Sequence, residues 1–184
     1  MEEDLFWEVI EGGRACIEIR KANEELIKLK FVLVIYFHEK RYDEAMDEVK
    51  ALIGNPEMAE HKAYLTLIQG QISELQGKFD ETLGFYCHAF AIGKWSPYVR
   101  YYLWNHIGFC WMLKNRFKGT ERCCRRAIKI DPKRGGAWKN LGVCLEYQGR
   151  FIEALQCYFK AILLKIKPLS ILRLRHHVWR AHMG

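Results

Sequence analysis

Residues 138–161 read WKNLGVCLEYQGRFIEALQCYFKA, and this stretch decides the fold. Counting from Trp138, Leu141 and Gly142 follow at +3 and +4, Leu145 at +7, Gly149 at +11 and Phe151 at +13. Ala154, Tyr158 and Ala161 then stand at +16, +20 and +23. The first group has the i, i+3, i+4, i+7 spacing of one apolar helix face, and the last group begins a second such face. Gly149 falls between them, where a helix ends on a residue in the left-handed region. Small residues at Gly142, Ala154 and Ala161 let neighbouring helices approach closely.

Thirty-four residues earlier, counting from Trp104, the same offsets give Ile107, Gly108, Trp111, Asn115, Phe117, Thr120, Cys124 and Ala127. Pro132 follows at +28 and stops a helix. A third copy runs from Thr66 through Gly70, Ser73, Gly77, Phe79, Thr82, Tyr86 and Ala89. A sparser fourth runs from Leu29 through Leu33, Tyr36, Tyr42, Ala45, Val49 and Leu52. The copies are 37, 38 and 34 residues apart. Tyr42, Phe79, Phe117 and Phe151 open the second helix of each copy and are expected to fill the wedge beneath the turn. One helix pair cannot bury its apolar face alone, so the copies must stack.

The repeat resembles the tetratricopeptide repeat, a helix–turn–helix unit of about 34 residues, over roughly residues 26–166. That resemblance implies an all-α, right-handed solenoid of about four antiparallel helix pairs, near 26–57, 58–96, 97–133 and 134–168. A helical N-terminal cap at 1–25 and a basic capping helix at 169–184 would flank it. The expected helices are 14–39, 42–53, 57–76, 79–93, 97–114, 118–130, 134–148 and 151–166. A short helix at 3–11, ended by Gly12-Gly13, precedes them. Pro168 comes two residues later than the repeat requires, so the last repeat helix is expected to run on toward it.

Composition agrees. The chain has 184 residues, 50% hydrophobic and 28% charged, which suits one domain or a short repeat array and excludes wholesale disorder. The longest apolar run, Phe31–Phe37, is far shorter than the roughly 18 residues of a membrane span. The start Met1-Glu2-Glu3-Asp4 is acidic where a secretory signal would be basic, so a cytoplasmic setting is expected. Seven cysteines, an odd number with no C-x-x-C pair, read as small buried hydrophobes.

Chemistry is sparse. The sequence holds no phosphate-binding glycine loop, nucleophile elbow or H-E-x-x-H helix. No cofactor and no metal are expected, and no acid–base–nucleophile set can be assembled, so the chain is not expected to be an enzyme. His176, His177 and His182 form a histidine cluster on the expected terminal helix. Cys123, among Arg122, Arg125 and Arg126, is the candidate reactive thiol, whereas Cys124 occupies a packing position.

What the resemblance does imply is a groove lined by the first helix of each pair, at −2, +1, +5 and +8 from the reference position. The candidate partner-binding residues are Tyr64, Leu67, Gln71, Tyr102, Asn105, Phe109, Met112, Lys139 and Val143. The implied function is non-enzymatic binding of a peptide or helix of a partner protein, as an adaptor or chaperone-like module. Some family members clamp a C-terminal carboxylate with Lys, Asn and basic residues. Here Val34, Ile68 and His106 replace three of those positions and only Asn140 fits, so that clamp is not expected. The amphipathic tail after Pro168 is an alternative occupant of the groove.

Charge gives a second reading. Residues 1–57 carry 14 acids against 8 bases, and residues 101–184 carry 4 against 17. Arg122, Arg125, Arg126, Lys129 and Lys133 recur at helical spacing and form a basic patch for nucleic acid or an anionic surface. The gradient also predicts a homodimer pairing acidic head with basic tail, helped by an apolar stripe of Leu172, Val178 and Trp179.

Overall fold

The computed structural model describes residues 24–183, and among these the chain is helix and connecting turn throughout. The helix expected at 3–11, Cys16 and nearly all of the cap expected at 1–25 lie outside the described residues. The chain divides into two compact units, meeting in sequence between Trp95 and Ser96.

In the first unit, α1 (Glu24–His38) pairs with α2 (Tyr42–Gly54). A 3-10 turn (Pro56–His61) leads to α3 (Lys62–Leu75), which pairs with α4 (Phe79–Ile92) and also packs on α2. The helix expected from 57 therefore begins at Lys62. Pro56 favours the tight turn before it, and the Asn55 side chain accepts the Glu57 N–H at 3.0 Å. The core is built from Leu29, Leu33 and Phe37, Ala45, Met46 and Val49, Met58, and Leu65, Ile68 and Ile72. Leu29, Leu33, Ala45 and Val49 are stripe positions read from the sequence; the other residues are added by the structure.

The second unit holds α5 (Pro97–Leu113), α6 (Phe117–Ile130), α7 (Gly135–Tyr147), α8 (Phe151–Leu163) and α9 (Pro168–Met183). Helices α5 and α6 form one pair, α7 and α8 the next, and α6 packs on α7. Ser96 caps α5 by accepting the Val99 N–H at 3.4 Å, with Pro97 in the first helical position. Cys124, Leu141, Leu145, Ala154 and Cys157 form a core with Ile128, Trp138 and Tyr158 against it.

The turn within each pair repeats one device. Gly77, Asn115 and Gly149 have φ of 74°, 58° and 75°, as their positions in the repeat require. The next N–H then reaches back over the helix end: Lys78 to Ser73, Arg116 to Trp111 and Arg150 to Leu145, each at 2.9 Å. Lys40 (φ 58°) and Lys165 (φ 67°) do the same without a glycine or asparagine to announce it. Because Lys165 turns the chain, with Ile166 N–H donating to the Ala161 carbonyl at 3.1 Å, α8 ends at Leu163. It does not run on toward Pro168, contrary to the sequence expectation.

Close approach is real at the small residues. A Cβ on Gly70 would stand 2.6 Å from the Tyr86 ring, and one on Gly142 would stand 2.6 Å from the Tyr158 ring. A Cβ on Gly108 would stand 3.1 Å from that of Cys123. Gly142→Ala gains about 1 kcal/mol of helix propensity but drives a methyl into an aromatic ring held by packing. A net loss of about 1–2 kcal/mol is expected in a urea melt. An unchanged midpoint would show that the two helices are not in this register.

Phe151 departs from the wedge-filling role expected of it. It is 63% exposed, while Tyr42, Phe79 and Phe117 are at least partly covered. Phe117 stacks on Tyr147 at 5.6 Å and meets His182 edge-on at 5.7 Å. Phe151 instead opens onto a shallow cleft with Leu172 and Trp179, because the chain after α8 turns toward α7 and α5.

Candidate functional site

The second unit shows what its first helices can hold. Helix α9 lies against α7 and α5, the first helices of their pairs. Its sequence is amphipathic: Ile171, Leu174 and Val178, at i, i+3 and i+7, are buried on one face. Leu172, Arg173, Arg175, His176 and Trp179 are exposed on the other.

Specific contacts fix its placement. The His177 ring stacks on Phe109 at 6.1 Å. The His182 Nε2 lies 3.2 Å from the Met112 carbonyl oxygen, and the same ring meets Tyr147 edge-on at 5.5 Å. The Tyr147 hydroxyl donates to the Arg175 carbonyl at 3.3 Å, and the Arg175 guanidinium pairs with Glu146 at 2.5 Å. Burial pushes the His177 pKa down, with Arg180 and His176 acting in the same direction. His177 and His182 are thus packing residues, while His176 stays exposed. Among the described residues no group of three His, Cys, Asp or Glu side chains could hold a metal.

Of the candidate groove residues, Tyr64, Asn105, Phe109 and Lys139 are half-buried. Leu67, Gln71, Tyr102, Met112 and Val143 are buried, so they offer no open surface as the chain stands. In the first unit Tyr64 packs against the core. In the second, Tyr102 stacks on His106 at 4.0 Å and α9 lies over Phe109 and Met112. Asn140 Nδ2 donates to Asn105 Oδ1 at 3.0 Å, so the one clamp residue in place is spent within the chain.

Two recurring polar contacts were not foreseen. The Tyr86 hydroxyl donates to Glu74 and the Tyr158 hydroxyl to Glu146, each at 2.5 Å. The partners stand at +20 and +8 in their copies, so the spacing could have revealed them. The Tyr101 hydroxyl accepts the Ala137 N–H at 2.9 Å and so caps the start of α7 from the preceding pair.

The basic patch is exposed at Arg122, Arg125, Arg126, Lys129 and Lys133. Two of the five are engaged. Arg125 pairs with Glu121 at 2.7 Å, and the Arg126 guanidinium lies 4.5 Å over the Trp104 ring. Glu121 also accepts from Arg150 at 2.9 Å, which ties α6 to the turn before α8. Burial pushes the Glu121 carboxyl up, but the bonds from Arg125 and Arg150 outweigh it and hold it below the usual carboxylate range.

Most described cysteines pack inside as expected, but Cys87 is exposed, against that expectation. Cys110, Cys123, Cys124, Cys144 and Cys157 are buried, so Cys123 is not accessible. Burial pushes Cys144 up to about 12 and Cys157 up to about 11, and raises Cys124 well above its ordinary value. Among the described residues no helix is long and apolar enough to cross a membrane.

Comparison with known proteins agrees with this architecture. Residues 136–165 match the tetratricopeptide repeat family model. No curated protein sequence matches the chain. A crystal structure of MamA protein is similar with a TM-score of 0.65 and 13% identity, over 86% of this chain and 83% of that one. The first TPR of Spaghetti (RPAP3), bound to an HSP90 peptide, is similar at 0.54 and 18% identity, over 67% of this chain and 95% of that one. The Sgt2 TPR domain from Aspergillus fumigatus gives 0.52 and 16%, over 68% and 79%. The segment 136–165 is a tetratricopeptide repeat, and the chain carries the fold of tetratricopeptide-repeat proteins.

Proposed function

We propose that the protein is a non-enzymatic protein–protein interaction module that receives an amphipathic helix of a partner on the first helices of its repeats. The observation that carries this is the seat of α9. An apolar stripe of three buried residues, an aromatic stack on Phe109 and an ion pair to Glu146 hold a helix against α5 and α7. A surface that holds one helix in this way can hold another with the same features.

The recognised segment would then be helical, with apolar residues at i, i+3 and i+7 and a cation placed to meet Glu146. An HSP90-type tail, as bound by the RPAP3 repeat domain, is not the ligand favoured here, because Val34, Ile68 and His106 replace clamp residues. The free buried thiols support a reducing, cytoplasmic setting, and their suppressed ionisation supports the absence of thiol catalysis. The basic patch favours nucleic acid less, since Arg125 and Arg126 already have partners in the chain.

The test is competitive capture. A chain lacking residues 168–184 should bind a synthetic peptide of that sequence and retain partner proteins that the full chain holds weakly. Replacing Asn105 and Phe109 together by aspartate should abolish both while leaving helicity intact. Capture that survives this substitution would place binding on another surface and end the proposal.

A further inference from the structure

One face of α8 breaks the pattern of its own repeat. In the preceding pair, α6 presents Lys118, Glu121, Arg125 and Lys129 at the positions where α8 presents Ile152, Leu155, Phe159 and Leu163. Lys118, Arg125 and Lys129 are exposed, as a solvent face should be. Their counterparts are exposed too: Ile152 at 76%, Leu155 at 66%, Phe159 at 66% and Leu163 at 62%, with Phe151 at 63% and Ile162 at 42% beside them. The last repeat of an array needs a polar outer face. Here charge has been exchanged for apolar bulk where no described residue covers it, because α9 packs on α7 and α5 instead.

The arrangement of the six residues identifies the cover. They fall into three pairs placed symmetrically about Cys157: Phe151 with Leu163, Ile152 with Ile162 and Leu155 with Phe159. A second α8 laid antiparallel across the first, with the twofold axis level with Cys157, would set Leu155 against the partner's Phe159 at the centre, with Phe151 near the partner's Ile162 and Ile152 near the partner's Leu163. Exposed fractions of 62–76% on five large side chains, with 42% on Ile162, amount to on the order of 700 Å² per copy. That approaches the roughly 800 Å² per partner of a standard interface and exceeds the largest patch of an ordinary monomer. A face that is its own complement under a twofold rotation is what an isologous dimer requires.

We propose that the protein forms a twofold homodimer through antiparallel packing of α8 on α8, with Leu155 and Phe159 at its centre. Apart from Phe151, which borders a cleft with Leu172 and Trp179 of α9, this surface does not include the α9 seat, and the proposal does not rest on the binding function above. It also replaces the charge-gradient dimer as the favoured mode, since Val178 of that expected tail stripe is fully buried.

Sedimentation equilibrium of the full chain should show a monomer–dimer equilibrium that persists at high salt, because the contact is mainly apolar. Leu155→Glu with Phe159→Glu should raise the dissociation constant more than about 100-fold, with helicity by circular dichroism unchanged because both side chains are exposed. Two further variants fix the geometry. Leu155→Lys and Phe159→Glu should each be weakened alone, and mixing them should restore a heterodimer, since antiparallel pairing sets one introduced charge against the other. A chain that stays monomeric up to about 100 µM overturns the proposal. So does a dimer indifferent to the glutamate pair, or a monomer that binds anionic vesicles through Leu155 and Phe159. Failure of the mixture to dimerise overturns the antiparallel arrangement.

Discussion

Tyr86→Ala is expected to cost about 3–5 kcal/mol and to unfold the first unit at markedly lower urea. Tyr86 is fully buried, fills the space left open by Gly70 and donates its hydroxyl to Glu74. Removing the ring leaves a void between α3 and α4 that backbone-to-ring packing this close cannot collapse to fill. Tyr86→Phe separates the two contributions. It keeps the ring and removes one charge-assisted donor from a buried carboxylate, for a loss of about 1–3 kcal/mol. Tyr158→Phe should cost less, because Tyr158 is only half-buried and Glu146 is also paired with Arg175. Equal losses at the two sites would show that burial does not set the value of this contact.

Val178→Asp is expected to release α9 from the second unit. Val178 is fully buried, and a carboxylate there has no cation of α9's inner face to meet it. The helix avoids that cost by leaving, so the loss is capped at the free energy of docking. The apolar burial of Ile171, Leu174 and Val178, about 1.5–3 kcal/mol each, is the main favourable term that docking supplies. Hydrogen exchange is the measurement. Amides of residues 168–183 should lose protection while those of α5 to α8 keep it. Leu172→Asp, on the exposed side of the same helix, should change protection little. Protection retained in the Val178 variant would mean that α9 is not held by its apolar stripe.

Most helix boundaries were legible because the residues that set them act locally. Pro56 and Pro97 start elements, and Gly77, Asn115 and Gly149 end them, each for a reason contained in its own backbone. Lys40 and Lys165 adopt the same left-handed conformation at greater cost, and nothing in a lysine announces it. That is why the end of α8 was misplaced. The close approaches at Gly70, Gly108 and Gly142 were legible from repetition.

The candidate site was less so. Offsets from Trp138 place a residue on a helix face, but they do not say what covers that face. Met112 and Val143 stand at groove positions and are buried all the same. The tail after Pro168 announced an apolar stripe without naming its mate. Tyr147, which meets both His182 and the Arg175 backbone, carries no family signal at all. Contacts such as Tyr101 with Ala137 join residues 36 apart and depend on the stacking of whole pairs, which a local pattern does not encode.

The shortness of the connection between α8 and α9 has a quantitative consequence. Only residues 164–167 separate Leu163 from Pro168, so α9 can never diffuse far from its seat. A segment on so short a tether faces its site at an effective concentration in the millimolar range. A partner helix present at about 1 µM must then bind intrinsically on the order of 1,000-fold more tightly than α9 to displace it from half of the molecules. The tether thus sets a threshold: weak helices of similar pattern, however abundant in kind, are screened out before specificity of contact is consulted.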